Sequence, residues 1–226
     1  MKHIVITGTS RGIGLELVKI FSEMGHKVLA VSRNFKPVQE LGLPGVEVLG
    51  CDINSANELQ QVKSYLERED TKVDILINNA GAILNKPFVE TNLNDFRNIY
   101  ETNVFGVVGL IQLLLPFMEK SGHVVNISSM GGIQGSMKFA GLSAYSSSKG
   151  AVITLTEMLA EEYKETGPSF NVLALGAVQT EMLAEAFPGY QAPLQPKEMA
   201  DYIANFSLTG HKFYNGKVLQ VSNSTP

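Results

Sequence analysis

A chain of 226 residues with 44% apolar residues, 18% charged residues and 21 glycines reads as one sizeable soluble globular domain, residues 1–226, rich in turns. The net charge of −4 and the lack of any basic run argue against a nucleic-acid surface. The single cysteine, Cys51, excludes an internal disulfide and fits a reducing, cytoplasmic compartment, and the four scattered histidines (His3, His26, His123, His211) show no metal-ligand spacing.

The first residues run straight into HIVIT, His3 to Thr7, a buried-strand pattern, so no secretory signal is expected there. Ile13, Leu17, Ile20, Phe21 and Met24 then fall at helical spacing and form one apolar stripe. KVLAV and VEVLG are the next strands, separated by the turn-rich FKPVQELGLPG. Ser55 to Glu67 is polar and helix-compatible, and VDILIN, Val73 to Asn78, is a fourth strand. A long helix is expected from about Asn94 to Glu119, then the strand HVVNIS and a helix from about Ala144 to Thr166. The strand FNVLAL, a helix opened by Pro196 and the strand KVLQV complete the order. The most membrane-like stretch, Val104 to Met118, is shorter than the roughly 20 residues a bilayer needs. It contains Gln112 and Pro116, and a buried or subunit-interface helix accounts for it better.

Strands apolar on both faces, separated by helices, predict an α/β fold: a doubly wound, Rossmann-type parallel sheet of about seven strands. Ligands bind such a sheet at the carboxyl ends of its strands. There the first strand meets TGTSRGIG, with Gly8, Gly12 and Gly14 in the turn before the first helix. Glycine admits positive φ and close approach, and the free amides of a helix N-terminus attract an anion. The spacing is Gly-x-x-x-Gly-x-Gly rather than the general dinucleotide fingerprint Gly-x-Gly-x-x-Gly.

TGTSRGIG, NNAG (Asn78 to Gly81), NISS (Asn126 to Ser129) and YSSSK (Tyr145 to Lys149) occur in the order seen in short-chain dehydrogenases/reductases. The chain resembles that family over essentially its whole length. The resemblance implies a nicotinamide cofactor held by Gly8, Ser10, Arg11, Gly12, Ile13 and Gly14. It places Asp52 and Ile53 at the adenine and Asn79, Ala80 and Gly81 on the cofactor wall. Val178 and Thr180 match positions that contact the carboxamide and pyrophosphate. Asp52 has a competing reading as the cap of the polar helix that follows.

The choice of cofactor is a question of charge. An acid at the end of the second strand would bind a ribose 2′-hydroxyl and repel a 2′-phosphate. Here Ser32, Arg33 and Asn34 stand in that place, and Arg11 lies within the glycine turn. Either arginine alone reads as a solvated surface residue; two guanidinium groups without an acid favour NADP(H) over NAD(H).

Tyr145 and Lys149 are four residues apart and so share a helical face. A phenol with an unperturbed pKa of about 10 gives up its proton more readily beside an ammonium. In the family that they match, the tyrosine is the general acid/base and the lysine also binds the nicotinamide ribose. Ser129 then orients the carbonyl, with Ser128 as its rival, and Asn103 helps to hold a proton-relay water. The implied activity interconverts a ketone or aldehyde and an alcohol, in a homodimer or homotetramer. The alternatives are an NAD-linked dehydrogenase and a nucleotide-sensing or scaffold protein on the same fold.

Four departures concern the substrate. Ser129 and Tyr145 are sixteen residues apart, against about thirteen in the family, so MGGIQGSMKFAGLSA carries a small insertion. Leu175-Gly176 replaces the common Pro-Gly, and Met182 to Pro196 is short for a lid. The C-terminal VSNSTP lacks the family's glycine-rich ending.

Overall fold

The computed structural model describes residues 1–222. Seven strands form one sheet in the order β3-β2-β1-β4-β5-β6-β7, and every neighbouring pair is parallel. They are β1 His3–Thr7, β2 Lys27–Ser32, β3 Val46–Gly50, β4 Ile75–Asn78, β5 His123–Ser129, β6 Ser169–Leu175 and β7 Val218–Val221. The helices are α1 Gly12–Glu23, α2 Lys36–Gln39, α3 Ala56–Arg68, α4 Leu93–Tyr100, α5 Gly106–Leu114, α6 Ser143–Glu162, α7 Glu181–Ala186 and α8 Pro196–Thr209.

The two-residue period of the strands divides the apolar residues between two cores. Ile4 and Ile6, Val28 and Ala30, and Ile75 and Ile77 meet Leu17 and Phe21 of α1 and Met199 and Ile203 of α8. The intervening Val5, Leu29 and Leu76 meet Val62 of α3 and Leu110 and Leu114 of α5 on the other face. A sheet covered on both sides leaves its strand ends open, and the order reverses direction between β1 and β4.

The expected helix from Asn94 to Glu119 is one continuous helical run, Leu93–Phe117, broken in character rather than direction. A π-helical turn, Glu101–Phe105, separates α4 from α5, and a 3-10 turn containing Pro116 ends the run at Phe117. By length and composition this run could cross a membrane. Val107, Leu110, Ile111 and Leu114 bury one side of it in the second core, so it is a core helix. The helix α6 stops at Glu162, short of Thr166, because Gly167 and Pro168 follow and Gly167 closes a turn onto the Tyr163 carbonyl. The strand β4 starts at Ile75, since Val73 gives its amide to the Phe117 carbonyl outside the ladder. The stretch after β2 contains one short helix, α2, with Pro37 in its first turn. The ending VSNSTP lies outside the described residues beyond Ser222.

His123 begins β5 with no exposed surface. Its Nδ1 is 2.9 Å from the Ser207 carbonyl, to which it donates, and its Nε2 accepts from Asn171 Nδ2 at 3.0 Å. Asn171 also donates to the Tyr214 carbonyl at 2.9 Å and accepts from the Lys217 amide at 3.1 Å. One neutral imidazole therefore joins β5, β6 and α8. Burial pushes its pKa down to about 4, and the neighbouring His211 adds to the shift, against the hydrogen bond to Ser207. Between the ordinary value of about 6.5 and the folded value the unfolded chain binds the extra proton, so stability falls as pH drops through that window. The loss expected from His123 is about 3 kcal/mol. Denaturant unfolding at pH values across that window should show a shallower decline in His123→Gln than in the parent chain; equal slopes would remove His123 as the cause.

Candidate active site

A cavity of about 630 Å³ opens at the carboxyl ends of the strands, a size typical of small-molecule sites. Its floor is the glycine turn between β1 and α1. Thr7 Oγ1 accepts the amides of Asn79 and Ala80 at 3.1 and 3.0 Å, and Asn79 Nδ2 donates to the carbonyls of Thr7 and Gly8. The end of β4 is thus bound to the turn. Gly8 has φ +71° and Gly12 has φ +56°, a region that side chains rarely adopt. A Cβ on Gly14 would stand 2.2 Å from the Gly8 carbonyl oxygen, and one on Gly8 would stand 2.7 Å from Ala80 Cα. The helix α1 has no side-chain cap and no acid in its first turn, which leaves its first amides for an anion. The turn therefore fits a pyrophosphate.

Gly8, Ser10, Arg11, Gly12 and Ile13 line this end of the cavity, whereas Gly14 does not; its role is the close approach of α1 to the turn. Ser32, Arg33 and Asn34 line the wall beyond β2, with Ser32 buried and its hydroxyl donated to the Asn34 carbonyl at 3.0 Å. Arg33 is exposed. Arg11 instead holds Glu185 of α7 through both guanidinium nitrogens. Asp52 and Ile53 lie on the same wall. Asp52 Oδ1 accepts the Asn54 amide at 3.0 Å, and it is Ser55 that caps α3 by accepting from the Glu58 amide, so the capping alternative for Asp52 falls away.

At the other end stand Ser129, Tyr145 and Lys149. Three contacts fix the start of α6 against the sheet: Ser128 Oγ donates to the Lys149 carbonyl, Lys149 Nζ donates to the Ile127 carbonyl, and Asn103 Nδ2 donates to Ser148 Oγ, at 2.8, 2.8 and 2.9 Å. Lys149 Nζ lies 5.9 Å from the centre of the Tyr145 ring. Burial lowers the Lys149 pKa to about 8. Burial raises the Tyr145 phenol, against a hydrogen bond with Ser129 that lowers it. Ser128 is 3% exposed and committed to α6, so Ser129 is the serine available to a ligand. Asn103 is buried behind the wall in the π-helical turn, where it exchanges hydrogen bonds with the amide and carbonyl of Ala82.

Asn79, Ala80, Gly81, Val178 and Thr180 also line the cavity. Thr180 Oγ1 caps α7 by accepting from the Leu183 amide at 3.2 Å, leaving its proton to donate. Beyond Tyr145 the lining includes Phe139, Met182, Leu183, Phe187 and Tyr190, none of them singled out by the sequence. They come from the extended Ser129–Tyr145 segment and from the segment after β6, irregular stretches where no period marks an inward side chain. The segment after β6 is short, yet it reaches the cavity because Val178 and Leu194 form an isolated bridge that folds it back.

Residues 2–191 match the family model described as short chain dehydrogenase. The chain belongs to the short-chain dehydrogenase/reductase family. A short-chain dehydrogenase of Talaromyces islandicus, cctT, is 34% identical over 184 residues, which cover 80% of this chain and 64% of that protein. The crystal structure of 3-ketoacyl-(acyl-carrier-protein) reductase from Brucella melitensis, complexed with NADH, superposes with a TM-score of 0.85 at 25% identity, covering 97% of this chain and 96% of that one. ElxO with NADP bound gives 0.85 at 26% identity, again over 97% and 96%. This reductase-family chain is therefore an oxidoreductase of the Rossmann type, with structural neighbours on both nicotinamide cofactors.

Gly14→Ala tests the glycine turn. The added methyl has no room against the Gly8 carbonyl, so the variant should lose about 1–3 kcal/mol of stability. It should also bind its nicotinamide cofactor at least about tenfold more weakly, measured by thermal unfolding with and without NADH or NADPH.

Proposed function

We propose that the whole chain, residues 1–226, acts as one NADP(H)-dependent catalytic domain that interconverts a ketone or aldehyde and an alcohol. The observation that carries this reading is the convergence of Ser129, Tyr145 and Lys149 at one end of a cavity whose other end is the glycine turn. The bound cofactor supplies or accepts the hydride. Gly8, Ser10, Gly12, Ile13 and the free amides of α1 hold its pyrophosphate, and Thr180 donates to it. Asp52 and Ile53 flank the adenine, while Asn79, Ala80, Gly81 and Val178 line the path to the nicotinamide.

Ser129 Oγ donates to the carbonyl oxygen and fixes its direction. Tyr145 Oη delivers the proton to that oxygen in reduction and removes it in oxidation. Its raised pKa keeps the phenol protonated at neutral pH, the form reduction requires. The Lys149 ammonium lies beneath the ring and lowers the cost of the phenolate that proton delivery leaves. Asn103 holds the Ala82 backbone and Ser148, so it positions the first turn of α6; water held near it refills Tyr145.

The preference for NADP(H) over NAD(H) rests on Arg33, which has no carboxylate beside it in the Ser32–Asn34 stretch. Arg11 contributes only after it exchanges Glu185 for the 2′-phosphate. Self-association as a homodimer or homotetramer draws support from Leu93, Phe105 and Met158, which are 73%, 55% and 61% exposed on the α4–α5 and α6 helices. The single cysteine, Cys51, buried and unpaired, supports a cytoplasmic setting.

Purified protein assayed for NADPH oxidation against a broad carbonyl panel should show turnover, and none across the panel would count against an enzyme. Tyr145→Phe should reduce kcat by about 10³-fold with cofactor affinity within a few-fold of the parent. Unchanged turnover would remove Tyr145 from the acid–base role. Arg33→Ala should weaken NADPH by about tenfold and leave NADH unaffected; a parent chain with no preference between the two would defeat the reading of Arg33.

A further inference from the structure

The end of the cavity beyond Tyr145 is walled by Met130, Phe139, Leu142, Met182, Leu183 and Phe187. Three separate segments are joined there. The rings of Phe139 and Phe187 lie 6.5 Å apart at 67°, an edge-to-face contact between the extended Ser129–Tyr145 segment and the chain just after α7. Asn85 Nδ2 donates to the Ala186 carbonyl at 2.8 Å, and the Lys86 amide donates to the Gly141 carbonyl at 2.9 Å. Gly141 has φ +87°, and a Cβ there would overlap Asn85 Oδ1, so this joint admits little else.

The charges around this end are equally specific. Lys149 is spent on the Ile127 carbonyl and the Tyr145 ring, and Arg11 is held by Glu185. Lys138, next to Phe139, turns its ammonium to the Ile133 carbonyl and Ser136 Oγ, and Lys86 pairs with Asp95. Glu181 also lines the cavity, but its carboxylate lies by Gly12 in the glycine turn, away from this wall. An anionic group on a substrate would lose its water here and meet no uncommitted cation among the described residues of this wall. A neutral aryl or alkyl group would instead fill an apolar end of the cavity closed by two touching aromatic rings.

We propose that the substrate is a neutral, apolar ketone or aldehyde whose non-reacting end packs against the wall that Phe139 and Phe187 close, and that these two residues set specificity by admitting such groups and excluding carboxylated or phosphorylated ones. The proposal rests on the oxidoreductase reading above and names the substrate class of that same site. It explains why the two segments that depart from the family pattern touch each other: together they make the wall that the shared catalytic residues do not supply.

The test uses two probes that differ in charge and little else, the aldehyde terephthalaldehydate and its methyl ester. With the full chain and its preferred cofactor, kcat/KM for the ester should exceed that for the acid by about 100-fold or more. Phe139→Ala and Phe187→Ala should each raise KM for the ester by about tenfold. Both half-exposed sites should leave kcat and cofactor affinity within about twofold. A preference for the acid, or equal use of both, overturns the proposal, as does an ester KM that neither variant moves. Calorimetric titration of the NADPH-loaded chain with the two corresponding alcohols, which form unreactive complexes, keeps the two readings apart. Binding of the neutral alcohol, weakened in both variants, with no turnover of either aldehyde would sink the oxidoreductase reading and leave the pocket assignment standing. Cofactor-loaded protein that fails to bind the neutral alcohol overturns the proposal.

Discussion

The attachment of α6 to the end of β5 is the constraint on which the site depends. A tyrosine and a lysine one helical turn apart are an ordinary surface pair unless something turns that face of the helix inward. Here the Lys149 backbone carbonyl accepts Ser128 Oγ while its ammonium reaches back to the Ile127 carbonyl. A second tether runs through buried amides: Asn78 Nδ2 donates to Asn126 Oδ1, and Asn126 Nδ2 donates to Thr156 Oγ1, at 2.8 and 2.9 Å. Buried polar groups demand partners, and these satisfy one another only in one register of α6 against β4 and β5. The motifs NNAG and NISS therefore do structural work before any ligand arrives.

The same tether sets the electrostatics. An ammonium drawn under the sheet loses hydration, and its pKa falls to about 8 with only a carbonyl and a ring face as local compensation. The phenol beside it is pushed the other way by the same burial. A low-dielectric pocket strengthens the coupling between the two groups, so the lysine matters to the tyrosine more than an exposed pair at the same spacing would. Isolated burial would disfavour both charged forms.

The fold was legible because strand alternation and helix period are long-range patterns, and the split of Ile4 and Ile6 from Val5 between two cores follows directly from them. The glycine turn was legible for a different reason: Gly8 and Gly14 sit where backbone meets backbone, and no other residue type fits. Sequence reasoning left alternatives open where a role depends on which hydrogen bond wins locally. Asp52 offered itself as a cap, but Ser55 stands three residues before Glu58 and takes that amide. Arg11 looked free for a phosphate, and a glutamate from α7, 174 positions away, holds it. No spacing rule reaches that far. The π-helical turn at Asn103 was equally hidden, since its apolar neighbours keep a helical pattern through it.

What stayed unreadable shares one physical trait: it lies outside the ladder. The residues proposed to hold cofactor and proton sit at strand ends or near the start of a helix, where hydrogen bonds fix the backbone and the sequence pattern betrays the position. Phe139 and Phe187 sit in irregular chain and are brought together by a ring contact, a short amide bridge and a folded-back segment. An extra three residues or so before Tyr145 would be free to wander if the segment after β6 were long enough to keep clear of it. Because that segment is short and pinned at Val178 and Leu194, the two meet. The departures are thus one feature rather than two: lengthening one wall and shortening the other moves the closure of the cavity without disturbing Ser129, Tyr145 or Lys149.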